Sequence, residues 1–76
     1  MSTEAEQAVI HVRINGEAAQ LPAGASCADV LARLGITEQR RLAVERNEQI
    51  VPRSRLAEQE LADGDRIEVI QAIGGG

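Results

Sequence analysis

From Ile10 to Ile14 apolar residues fall at every second position, with His11 and Arg13 between them, the spacing of a strand that buries one face. Asn15-Gly16 tolerates the positive φ angles of a tight hairpin, so Glu17 to Leu21 is expected to return antiparallel to the first strand. Pro22-Ala23-Gly24 closes that hairpin. The apolar period then changes. Cys27, Val30, Leu31 and Leu34 recur at helical spacing, Ser26 and Asp29 form a capping box with Asp in place of Glu or Gln, and Gly35 supplies the stop.

A polar connection over 36–41, anchored by Ile36, leads to a third strand in which Leu42 and Val44 alternate with Ala43 and Glu45. Asn47-Glu48-Gln49 reads as the next turn. Ile50-Val51 is long enough only for an edge strand, and Pro52 ends it because proline has no N–H to give a ladder. Leu56 and Leu61 pin a short helical turn, and Ala62-Asp63-Gly64-Asp65 is a turn by composition. Arg66 to Ile73 resumes alternation, with Ile67 and Val69 inward and Glu68 and Ile70 outward.

This order predicts an α+β fold, a mixed sheet of about five strands with one main helix packed across it. Both the first and last strands must offer their apolar faces to that helix. The last is therefore expected beside the first, and parallel to it by the right-handed crossover rule. That arrangement is a β-grasp, ubiquitin-like. The expected organisation is a lead-in over 1–8, a β-grasp domain over 9–73 and a glycine tail over 74–76.

Composition narrows what such a domain does. Seventy-six residues leave little material for a deep cleft, which favours a carrier or binding module over an enzyme. Phe, Tyr and Trp are absent and the formal net charge is −4, so bases find no stacking platform and phosphates meet repulsion; nucleic acid is not an expected partner. The single cysteine, Cys27, excludes an internal disulfide and suits the cytoplasm. Residues 1–7 carry no apolar run, so neither a signal peptide nor a membrane anchor is expected there.

No catalytic constellation emerges. His11 is a lone outward-facing histidine, and Cys27 at the helix start reads as core filling before it reads as a nucleophile. Asp63-x-Asp65 falls short of a calcium loop, and no metal site is expected. All eight basic residues are arginines, which reflects genome bias or else protects an activated acyl group from capture by a lysine amine. The tail is the remaining candidate. Glycine has no Cβ, so Gly74-Gly75-Gly76 can thread a narrow channel and leave the Gly76 acyl carbon unhindered. A carboxylate there reacts only after activation, and the chain has no phosphate-binding glycine motif of its own. ATP would be used by a partner, with no cofactor bound here.

Asn47-Glu48-Gln49-Ile50-Val51-Pro52-Arg53, then Asp63-Gly64-Asp65 ahead of a strand, then Gly75-Gly76, resemble the thiamine-biosynthesis sulfur carrier proteins, a ubiquitin-like family. The resemblance covers about Ile10 to the end. It implies that an adenylyltransferase of the ubiquitin-activating kind adenylates the Gly76 carboxylate. A persulfide from a donor such as a cysteine desulfurase relay then displaces AMP, and the thiocarboxylate delivers sulfur to thiazole synthase. Gly75, with Gly74, would be the tether. Strand parity adds an expected docking patch of Ile70, Ala72 and Ala43. Arg46 departs from the family, which tends to have an aliphatic residue before the Asn, and the N-terminus is longer.

The same tail suits a carrier serving molybdopterin formation. It also suits a protein modifier, while an interaction module would not need it. The chain alone is expected to be a monomer, because a short edge strand closed by proline discourages sheet extension.

Overall fold

A computed structural model describes residues 8–38 and 41–71. Strand β1 spans Val9–Ile14, β2 Glu17–Pro22, helix α1 Cys27–Arg33, β3 Leu42–Arg46, β4 Gln49–Val51 and β5 Arg66–Gln71, with a 3₁₀ turn at Arg53–Arg55 before β5. The strands form one sheet in the order β2-β1-β5-β3-β4. The β1–β5 pair is parallel and the other three pairs are antiparallel. The β-grasp expected from the apolar pattern is thus present, with the last strand in the middle of the sheet.

Local chemistry explains each boundary. Asn15 and Gly16 both take positive φ, 52° and 86°, and the register pairs Ile14 with Glu17, a two-residue hairpin of the twist that favours Asn-Gly. The Ser26 hydroxyl accepts from the Asp29 N–H while the Asp29 carboxylate accepts from the Ser26 N–H, so the capping box closes with the shorter acid. Gly35 follows the helix at φ 76°, the left-handed stop. Proline ends two strands: β2 includes Pro22, whereas Pro52 lies outside β4.

One turn differs in extent from the expectation. Gln49 belongs to β4 and pairs with Arg46, leaving Asn47-Glu48 as a two-residue turn with φ of 53° and 73°. Glutamate rarely adopts such angles, and the hydrogen bonds made by its neighbour hold it there.

The core is aliphatic and lies between the sheet and α1. Ile10, Val12 and Ile14 of β1, Val44 of β3 and Ile67 of β5 meet Val30 and Leu31 of the helix, all buried. Leu56 and Leu61 close one side, buried as expected. Two bonds fasten that closing loop to the helix start: the Cys27 N–H donates to the Gln59 carbonyl and the Ala28 N–H to the Leu56 carbonyl. Cys27 is fully buried in this cluster, so it fills core space as expected.

Candidate functional site

Strand β5 is the last described element. It sits between β1 and β3 and is tied to both hairpin turns by asparagines. On one side the Asn15 N–H donates to the Ile67 carbonyl at 2.8 Å, and Asn15 Oδ1 accepts from the Val69 N–H at 2.8 Å. On the other, the Asn47 N–H donates to the Arg66 carbonyl and Asn47 Oδ1 accepts from the Arg66 N–H at 2.9 Å. β5 is thus a central strand clamped on both flanks. The glycines Gly74, Gly75 and Gly76, and Ala72 of the expected patch, lie outside the described residues.

Beneath the clamps is a carboxylate whose role was not read from the sequence. Asp65 is 6% exposed and accepts from Arg46 Nε at 2.8 Å, Asn47 Nδ2 at 3.0 Å and the Ala62 N–H at 2.8 Å. Burial alone would raise its pKa, but the Ala62, Asn47 and Arg46 donors outweigh that and hold the carboxyl below its ordinary value. Asp65 is a structural anchor for the turn and for Asn47. Arg46, the departure from the family pattern, is used on the inward side to pair with it. The one available signal was the Asp-Gly-Asp spacing ahead of β5, read only as a turn.

Among the described residues the other titratable candidates form one exposed pair and no catalytic grouping. His11 Nδ1 lies 3.4 Å from Asp63 Oδ1 and its Nε2 3.1 Å from Gln20 Nε2, both at the exposed surface. Burial pushes the Cys27 thiol up, against a smaller opposing effect of Arg46, so the helix start does not produce a reactive thiolate. A cleft beside β4, lined by Arg46, Gln49, Val51, Pro52, Ser54 and Arg55 among others, holds no acid–base pair. Among the described residues no three His, Cys, Asp or Glu side chains cluster as a metal site. No helix among them is long and apolar enough to cross a membrane.

The outer sheet face bears the expected patch in part. Ala43 and Ile70 are direct partners across β3 and β5, and Ile70 is half exposed. Ile50 on β4 stands opposite Glu45, which in turn stands opposite Glu68, so the apolar positions surround a like-charged pair. Ile50 is exposed by 60% and joins this face, an addition that the short edge strand concealed in the sequence.

Comparison with known proteins agrees with this geometry. A family model described as the ThiS family matches residues 12–76. Sixty-three residues are 43% identical to a protein named thiazole synthase from Paramagnetospirillum magneticum, covering 83% of this chain and 19% of the relative. The chain therefore spans about a fifth of the length of that relative. The fold matches the crystal structure of a thiamine biosynthesis protein (ThiS) from Geobacter metallireducens with a TM-score of 0.73 at 22% identity, over 88% of this chain and all of that one.

Proposed function

Because this chain belongs to the ThiS family, whose model matches residues 12–76, we propose that it is a sulfur carrier of thiamine biosynthesis, a protein co-substrate and not a catalyst. A partner adenylates the Gly76 carboxylate with ATP, releasing pyrophosphate. The terminal sulfur of a donor persulfide attacks the acyl carbon and AMP leaves. A thiol then takes the donor's remaining sulfur into a disulfide, freeing the Gly76 thiocarboxylate. The observation that carries the reading is that the family match runs through the three glycines; β5, the last described strand, is clamped at both flanks.

Each part of the chain has a share in this. β5, held by Asn15 and Asn47, anchors the domain up to Gln71; Gly74 and Gly75 are the slim tether; Gly76 bears the reacting carbonyl. Ile70 and Ala43, with Ala72, are the docking patch. In this reading no base, metal or nucleophile is needed from the described residues, since activation of a carboxylate as an acyl adenylate belongs to the enzyme that binds ATP. Thiazole synthase is the proposed sulfur acceptor, favoured over molybdopterin formation by the relative that carries that name.

Intact-mass measurement after incubation with ATP, an adenylating enzyme and a persulfide donor tests the reading. The expected product has one sulfur in place of one oxygen, and a chain lacking Gly75-Gly76 gains nothing. A wild-type chain with no such change would remove the carrier reading.

A further inference from the structure

Strand β5 outruns one of its two neighbours. β1 pairs with it only at Arg13↔Arg66 and Ile14↔Ile67, because the chain turns back into β2 at Asn15-Gly16. On the other side β3 accompanies β5 as far as Gln71. From Glu68 onward, therefore, β5 has a strand beside it on one side only among the described residues.

The direction of its backbone groups follows from the bonds already made. Both main-chain groups of Arg66 go to Asn47 on the β3 side, whereas the Ile67 carbonyl and the Val69 N–H go to Asn15 on the β1 side. Backbone groups alternate sides along a strand. The Val69 carbonyl and the Gln71 N–H thus face the side that β1 has left, just past the Asn15 amide that caps the ladder. An unpaired sheet edge is a template for another strand.

We propose that this edge receives an extended segment of the enzyme that adenylates Gly76, adding to the sheet beside Val69–Gln71 by main-chain hydrogen bonds. The inference rests on the carrier reading and deepens it. Anchoring the partner at Gln71 leaves only residues 72–76 free, a reach of at most ~17 Å when extended, and so sets how deep the carboxylate enters the active site. Side chains of the added segment on the outer face meet Glu68 and Ile70, so its alternate residues are a basic and an apolar one. Glu45, opposite Glu68, strengthens the call for a cation. A second copy of this chain would bring another Glu68 to the same edge, which like charge disfavours.

The test uses the intact chain and the adenylating enzyme of the mass assay. Gln71→Pro removes the N–H from the open edge, and Pro in place of Gln71 leaves the β3 ladder whole because the Ile70 groups face β3. Gln71→Ala keeps the N–H. The expected result is a KM for the carrier about tenfold higher with Gln71→Pro, the loss of one hydrogen bond, and a rise at least about fivefold smaller with Gln71→Ala, which retains that N–H. Hydrogen exchange at the wild-type Gln71 amide slows on adding saturating enzyme. Equal KM values for the Pro variant and wild type, with no slowing at Gln71, overturn the edge while sulfur gain keeps the carrier reading intact. Slowing by thiazole synthase alone, or by self-association alone, overturns the assigned partner. An enzyme that leaves the wild-type chain unmodified removes the carrier reading and this inference together.

Discussion

Asn47 and Asp65 bond across the base of the β3–β4 turn, Nδ2 to Oδ1 at 3.0 Å, and through that bond a buried acid orients the amide that clamps β5. Asn47 Oδ1 is left free to accept from the Arg66 N–H. The Asn ahead of Ile-Val-Pro-Arg in the family-like segment is therefore a structural residue, and what it holds is Arg66, the first residue of β5.

Asp65→Asn is expected to destabilise the fold by about 2–4 kcal/mol, since it breaks a buried pair and leaves donors facing an amide. Urea unfolding with an unchanged m-value checks this. The pH dependence has a definite sign. The folded carboxyl titrates below its ordinary value, so its contribution is whole above about pH 4 and disappears as pH falls through the lower folded-state value. The variant lacks that part of the acid slope; equal slopes would show that Asp65 is not the responsible group.

Glu48→Gly is expected to stabilise the protein. Glu48 holds φ at 73°, an angle glycine adopts without a Cβ clash, and its contact with Arg66 is long at 3.9 Å between exposed groups. A gain of about 0.5–1 kcal/mol, or roughly 2–8 °C in Tm, is predicted from thermal unfolding. A lower Tm would mean that the Arg66 contact outweighs the strain.

Cys27 is expected to resist alkylation in the folded state. It is fully buried and burial raises its thiol pKa, so reaction requires opening of the fold. Labelling by iodoacetamide at neutral pH should run about 100-fold or more slower than for a denatured control. Comparable rates would place the sulfur at the surface.

Ile70→Asp separates docking from folding. The half-exposed side chain packs beside Ala43, so stability should change by only about 0.5 kcal/mol. Carrier KM for the adenylating enzyme should rise about tenfold or more if this residue is an interface anchor. A normal KM would move the docking patch elsewhere, to Ile50 first.

Much of the fold was legible because its signals are local. Alternation at Ile10, Val12 and Ile14, the Asn15-Gly16 turn, the Ser26–Asp29 box and the Gly35 stop each depend on a few neighbouring residues, and the structure has all of them where the pattern put them. The parallel placement of β5 against β1 also followed, since one helix can cover only one apolar face. Of the site, the outward parity of Ile70 and Ala43 was legible for the same reason. Ile50 was not, because three residues of edge strand carry too little alternation to show a face.

By itself, then, the sequence determined the order of elements, the aliphatic core and the family, all of which follow from periodicity or from short motifs. Tertiary structure alone decided three things: that Asp65 is buried under Arg46 and Asn47, that both hairpin asparagines clamp β5, and that β5 outruns β1. These depend on residues 18, 19 and 54 positions apart and on a two-strand register offset. Hydrogen bonds over such separations are set by how the sheet closes, and no local pattern encodes them.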